Sequence, residues 1–487
     1  MDTPRCESPD TGSIAAARLR VKAASDAVLA LCAPSPPQTL AAFEAALWPA
    51  LLALGQATVA VFLAHAAARD EPRAVGHHTS VVATRVGRVT FVRPVVLDRR
   101  GRQTCPTDRA VGLRGGASFG LMVVLARLCA HLAFGQARGL FAHLHGFQPS
   151  QDMTLRIVDA VGVRARRFLE QAAVPTDDGE VLVLQVDARG APMIDVLELL
   201  ARQRPRTSPV GTRRARRKAS KARRQRPRRT KGQKSKNARG AVVGAIYTLR
   251  RTADGWEGPI NKRLYATFAG HAALFTWLKA EAVRRGYGRK KTLFLADGAR
   301  TLWTLQQEHF PKAHVCLDWI HAVEKLWKAG ACLYAEGSDA LRAWVEGQKA
   351  RLRTGDVVGA LRLLRVARRG IAKTGPGNKG RRDRLTRVVK YFARNRHRMN
   401  YRAFRRQGFE IGTGVAEGAV RNLVGLRLDG PGMRWGWERA EKVLHLRCIL
   451  LNGQWDAFCA WLQTDHVLEM APHPLPAVPY AAVKKAA

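Results

Sequence analysis

Short apolar runs that each stop at an aspartate, with helix-length segments between them, most restrict what this chain can fold into. Val181 to Val186 is a β-branched run followed by Asp187, and Thr292 to Ala296 is a second run followed by Asp297. A third, His314 to Leu317, leads into Asp318. Ala241 to Tyr247 reads as a strand with Arg263 to Phe268 as its hairpin partner, and His271 to Arg285 and Thr301 to Phe310 read as helices. The order strand, hairpin, helix, strand, helix, strand predicts an α/β fold with a mixed sheet. It matches an RNase H-like domain with a helical insertion better than a dinucleotide-binding one, because no G-x-G-x-x-G follows a strand.

The rest of the chain divides around that core. Residues 1–75 read as an Ala-rich helical segment broken at Pro34, Pro36 and Pro37. The apolar stretch Ala45 to Ala68 is interrupted by Pro49, Gly55, Gln56 and His65, which suits a buried or dimerising helix better than a membrane span. Residues 76–175 combine short strands, with a turn at Gly87-Arg88, and helices. There Phe134 to His145, a Gly146 to Pro149 break, and a helix capped by Ser150 and running through Gly162 have the layout of a helix-turn-helix. An ordinary helical hairpin has the same layout. The expected core is 176–330, with a basic arm at 202–239. A helical insertion follows at 331–410, then the helices of 411–465 and a Pro-rich tail at 466–487.

Charge narrows the partner. The 487 residues carry 82 Lys and Arg against 38 Asp and Glu, a formal net charge of +44. A polyanion accounts for such a field, since each neutralised phosphate releases counterions. The arm concentrates it: Arg213, Arg214, Arg216, Arg217, Lys218, Arg223, Arg224, Arg228 and Arg229 have no acid among them. The eight cysteines form no C-x-x-C pair, which argues against a zinc ribbon and against a disulfide framework and suits a reducing, cytoplasmic, nucleoid-associated setting. The N-terminus, with Asp2, Glu7 and Asp10, does not read as a signal peptide.

Two aspartates at the carboxyl ends of neighbouring strands can hold Mg²⁺ (or Mn²⁺), which takes oxygen ligands. A lone Asp there is commonly a turn former. A third ligand is expected from Ile411 to Asn422, where a Gly-bounded turn delivers Glu417 in the first turn of a helix and Arg421 one turn on.

Several spaced motifs in this region resemble the Kra-type (ISKra) family of bacterial insertion-sequence transposases. They are Asp297-Gly298-Ala299, Phe310-Pro311-Lys312-Ala313, and Leu317-Asp318-Trp319-Ile320-His321-Ala322 with Glu324-Lys325-Leu326-Trp327. Arg394 to Met399 with Tyr401, Ile411 to Glu417, Gly432-Met433-Arg434-Trp435, and Gly453 to Phe458 continue the likeness, which covers roughly 180 to 460. The resemblance implies a DNA transposase of the Asp-Asp-Glu type on an RNase H-like fold, with Asp187, Asp297 and Glu417 as catalytic metal ligands. It also implies Asp318, His321 and Arg421 as support, DNA ends and target as partners, and a homo-oligomer on DNA. Relatives of that kind carry a cysteine pair near the short strands, where this chain has Cys105 alone. Two other functions fit the residues: a non-catalytic nucleic-acid-binding protein descended from a transposase, and a nuclease or resolvase of the same fold.

Between Asp297 and Asp318 as the second ligand, the small residues Gly298 and Ala299 favour Asp297 by leaving room for a DNA backbone, whereas Asp318 has Trp319 beside it and His321 one turn on to pair with. The arm generates a test of its own. Deleting Arg213 to Arg229 is expected to weaken DNA binding for all sequences alike and to flatten its salt dependence, because phosphate contacts act uniformly. An unchanged slope of log affinity against log salt would make the run a mere linker.

Overall fold

The computed structural model describes residues 14–32, 39–113, 115–194 and 238–464. The basic arm, from 202 to 237, lies outside the described residues, as do the tail beyond 464 and the proline cluster 34–37. The chain divides into two compact units, Met1–Arg166 with Gln454–Ala487, and Arg167–Gly453.

In the first unit, α1 (Ile14–Ala30) packs on α2 (Leu40–Ala68). Thr39 caps α2 by accepting from the Ala42 N–H at 3.2 Å, and Pro49 sits inside the helix without ending it. The helix is long and apolar enough to cross a membrane by length and composition. Of the two forms expected, buried or dimerising, it is not the fully buried one: its buried residues are Leu52, Ala60, Leu63, Ala64 and Ala67, while Trp48, Leu51 and Phe62 are exposed.

A hairpin pairs β1 (Gly76–Thr84) with β2 (Gly87–Leu97), and β3 (Gln103–Thr104) completes a small sheet. The turn falls at Arg85-Val86, not at Gly87-Arg88: Thr84 pairs with Gly87, whose φ of +126° closes the loop, and the Thr84 hydroxyl donates to the Gly87 carbonyl. After α3 (Pro106–Ala110), α4 (Phe119–His131) and α5 (Phe134–His145), Gly146 takes a left-handed conformation at φ 70° and ends α5. Ser150 then accepts from the Met153 N–H at 3.1 Å and starts α6 (Gln151–Gln171). This helix runs past Gly162, because Ile157, Val161, Ala165 and Phe168 keep one buried stripe in step through it.

The second unit is built on a five-stranded mixed sheet. Its strands are β4 (Val181–Pro192), β5 (Ala238–Thr252), β6 (Gly255–Thr267), β7 (Lys291–Ala296) and β8 (His314–Leu317), in the order β6-β5-β4-β7-β8. The long antiparallel meander β4-β5-β6 is extended by β7 and β8, both parallel to β4. Parallel neighbours need crossovers, and α7 (His271–Arg284) and α8 (Arg300–His309) supply them. The strand β4 does not end at Asp187. It continues to Pro192, because β5 goes on pairing with it after β7 has stopped. Arg239, expected as the end of the arm, is a strand residue of β5 whose guanidinium lies over the Trp437 ring at 4.6 Å.

Helices α9 (Trp319–Gly330), α10 (Asp339–Thr354), α11 (Val357–Gly370), α12 (Asn378–Asn395) and α13 (Tyr401–Arg406) follow β8. The chain returns through α14 (Gly414–Val420), a π turn (Arg421–Gly425), α15 (Leu426–Leu428) and α16 (Trp437–Leu451). The helix α17 (Trp455–Thr464) groups with the first unit.

Buried ion pairs tie α7 to the sheet. Glu281 is fully buried and takes Arg263 of β6 at 2.7 Å and Arg284 of its own helix. Beside them Arg285 clamps Asp178 through Nε and Nη2 at 2.8 and 2.6 Å. Breaking such a pair leaves the other charge stranded away from water. Glu281→Ala is therefore expected to cost about 3–5 kcal/mol in urea unfolding, with Glu281→Gln losing less. A loss within the range of surface substitutions would mean that Arg263 finds water or another acceptor.

Candidate metal centre

The sheet register aligns three aspartates. Val186 of β4 pairs with Ala296 of β7, and Ala296 pairs with Leu317 of β8. The next residues are Asp187, Asp297 and Asp318, so all three occupy one row just past the ends of β7 and β8, with Asp187 inside β4, which runs on beside β5 to Pro192. Ligands gather at this edge in α/β sheets because the strands end there and backbone gives way to loops.

Glu417 is brought to the row by two side chains. Gln185, fully buried on β4 two residues before Asp187, donates from Nε2 to the Gly412 carbonyl at 3.3 Å and accepts from the Ala416 N–H at 2.9 Å. Its Nε2 also donates to the Tyr247 hydroxyl at 2.9 Å. Asp318 accepts from the Thr413 N–H at 2.7 Å, and the Trp319 N–H donates to the Ile411 carbonyl at 2.9 Å. The Ile411 to Thr413 loop is thus held from both β4 and the start of α9. Gln185 gave no signal in the sequence beyond being a polar residue in an apolar run.

Asp318 and His321 form a closed pair. Asp318 is fully buried and caps α9: its Oδ2 accepts from the His321 N–H at 2.8 Å and meets His321 Nδ1 at 2.5 Å. The hydrogen bond from Asp318 raises the His321 pKa to about 9 against the opposing effect of burial. Burial alone would raise the Asp318 carboxyl, but His321 and the Thr413 N–H hold it below its ordinary value.

The carboxylates divide by how many of their lone pairs are already used. The ligand atoms of Asp318, His321 and Glu417 lie within 4.8 Å of one another. Proximity favours that trio, yet both oxygens of Asp318 are committed to N–H donors. Asp187 uses one oxygen on the Ala188 N–H at 2.7 Å, and Asp297 one on the Ala299 N–H. Neither their second oxygens nor those of Glu417 have a protein donor among the described residues. Burial raises the Asp187 carboxyl, as do the charges of Asp297 and Asp318. Burial also raises Glu417, with Asp318 and Asp187 adding to it. His321 opposes both shifts. The result is a group of acids whose unused oxygens are the donors a hard divalent cation takes, with one imidazolium beside them.

Two expectations about neighbours change. Gly298 does not leave an open approach: the ring of Tyr391 and the amide of Asn395, both on α12, fill the space where its side chain would stand, and Arg394 donates to its carbonyl at 2.7 Å. Arg421 is exposed and makes no ion pair with Glu417 among the described residues. His271, at the start of α7, is half-buried near Asp297, whose charge partly offsets the lowering of its pKa by burial.

No family model matches the chain, and no curated protein matches it. A solved structure similar to it is the Drosophila P element transposase strand transfer complex, at 11% identity over 70% of this chain and 80% of that chain, with a TM-score of 0.24. A superposition that loose bears on neither fold nor function.

In metal-free protein the His321 ring is expected to titrate near pH 9 by NMR, and near or below its ordinary 6.5 once Asp318 is replaced by Asn. Because the folded value is the raised one, the pair's contribution to stability is complete below about pH 6.5 and is lost as pH rises through about 9. A wild-type titration at the ordinary value would dissolve the pair.

Proposed function

We propose that this chain is a DNA transposase of the Asp-Asp-Glu type, which cuts the ends of an insertion sequence and joins them to target DNA on an RNase H-like core. The observation that carries the reading is the row of aspartates across β4, β7 and β8 met by Glu417 on a separately held helix. The sheet order β6-β5-β4-β7-β8, an antiparallel meander extended by two parallel strands, supports the RNase H-like assignment. The net charge of +44 supports DNA as the partner.

Asp187, Asp297 and Glu417 would hold Mg²⁺ or Mn²⁺ through their unused oxygens. The fit rests on those oxygens and on carboxyls that burial first, and neighbouring acids second, hold above their ordinary values at Asp187 and Glu417. Bound divalent cations supply charge neutralisation at a scissile phosphate and a more acidic attacking hydroxyl. Asp318 acts through its neighbours: it fixes His321 and the Thr413 loop and so sets where Glu417 points. The His321 imidazolium places one positive charge beside the acids, which limits their repulsion while the phosphate approaches.

One hydrolysis and one exchange of phosphodiesters make up the reaction. In the first, a water oxygen bonds to phosphorus and the 3′ oxygen leaves, taking a proton to become a free hydroxyl. In the second, that hydroxyl bonds to a target phosphorus, and the target's own 3′ oxygen leaves. Each step breaks one P–O bond and forms one, so no nucleotide is consumed.

Asp187→Asn, Asp297→Asn and Glu417→Gln are each expected to lower cleavage and joining of element ends at least about a hundredfold while gel-shift binding persists. Joining by any one of them at the wild-type rate in Mg²⁺ would remove that residue from the set. Asp297→Cys should recover in Mn²⁺, which tolerates sulfur better, and Asp318→Cys should not; the reverse pattern would exchange their roles. Cutting without joining in the intact protein would favour the nuclease reading.

A further inference from the structure

One face of α12 is only partly explained by packing: Tyr391 presses on Gly298 and Arg398 lies over the Trp303 ring at 4.4 Å. Leu385, Val388, Val389 and Phe392 are buried. Arg384, Arg387, Tyr391, Arg394 and, just past the helix end, Arg398 recur at steps of three and four residues, which places them along one stripe. Arg384 and Arg387 are exposed and have no acidic partner among the described residues. At its far end the stripe reaches the metal centre, where Arg394 donates to the carbonyl of Gly298, next to Asp297.

An open cavity of about 950 Å³ lies against this stripe, between α9, α10 and α12. Leu341 and Val388 contribute apolar surface, and the rings of Trp327 and Tyr391 line it. Trp327 is 39% exposed, and Lys325 stands 5.3 Å from the Tyr391 ring centre. The charged lining is Lys325, Lys328, Arg384, Arg387, Lys390 and Arg394 against Glu324 and Glu336, and Glu324 is already paired with Lys328 at 3.0 Å. A merely solvated face needs no aromatic walls. An acidic protein segment would match the charge and leave the rings unused. A single polynucleotide strand uses both, since its bases stack on rings while its phosphates meet guanidinium groups. A duplex, whose major groove alone is about 12 Å wide, does not enter a space of this size.

We infer that the cavity and the α12 stripe bind one unpaired DNA strand, stacked on Trp327 and Tyr391, and lead its backbone past Arg394 to Asp297. The direction of that path rests on the proposed cleavage site; the binding itself does not.

The test uses the full-length protein and a labelled oligodeoxynucleotide, offered single-stranded and as a blunt duplex. Replacing Arg384, Arg387 and Lys390 together by Ala should weaken single-strand binding at least tenfold and lower its salt slope by about 2, from about 0.7 per lost phosphate contact. Duplex binding should change far less. Trp327→Ala should also weaken single-strand binding by about tenfold, and Trp327→Phe should restore most of it. With iododeoxyuridine in the strand, light should cross-link it to the peptide carrying Trp327. Equal losses for strand and duplex, an unchanged slope, or cross-links confined to other segments would each overturn the proposal. Asp187→Asn should bind the strand as the wild type does. If the wild type binds it in this way yet cuts nothing, the transposase reading falls and the strand site stands.

Discussion

Everything at the candidate metal centre hangs on one buried carboxylate. Asp318 follows β8, starts α9 and receives the backbone of the loop before α14, so two consecutive elements and one distant in sequence meet at its two oxygens. A carboxylate removed from water must find donors for its charge, and here it finds two backbone N–H groups and an imidazole. Satisfying that charge brings Thr413, and with it Glu417, to the edge of the sheet. Gln185 repeats the arrangement from the other side with a neutral group, so the loop has a donor and an acceptor on β4 and an acceptor at the start of α9.

The proteins of each strand edge are read by register, and the sequence contains the register only in disguise. Asp187, Asp297 and Asp318 were visible as residues that follow apolar runs, and the period of those runs was enough to expect an α/β sheet. Asp297 and Asp318 looked like competitors because the spacing between them says nothing about whether β7 and β8 are neighbours. Once they are, the two occupy the same row, and the question becomes which oxygens are still free. The committed oxygens of Asp318 depend on Thr413, some ninety residues away, which no local pattern reveals. Gln185 was hidden for the same reason. The end of β4 was misjudged because Asp187 resembles a stop, whereas pairing with β5 carries the strand onward to Pro192. Gly298 suggested an opening, but a glycine is equally required where another element presses close, and here Tyr391 does.

Charge is distributed with the same economy. The acids that could hold cations are gathered at one sheet edge, while the net charge of +44 lies elsewhere on the chain. A uniformly basic surface would bind a polyanion anywhere along it. A local negative site beside a basic helix face binds it well in one place and repels it at the next, until something positive stands between. His321 contributes one such charge permanently at neutral pH.

The π turn Arg421–Gly425, which follows the last residue of α14 directly, carries a consequence of its own. A π turn holds one residue more than the helix around it needs, so it works as a phase shifter between the two ends. Upstream, Glu417 faces the sheet edge; Leu423 and Val424 within the turn and Leu428 after it are buried. Removing one residue from this turn would let an α-helix run straight through and rotate one end against the other by about 100°. Either the carboxylate would swing off the site or the apolar residues would leave the core. The length of this turn is thus as strict a requirement as the identity of the acid before it, and it tolerates changes of side chain far better than changes of number.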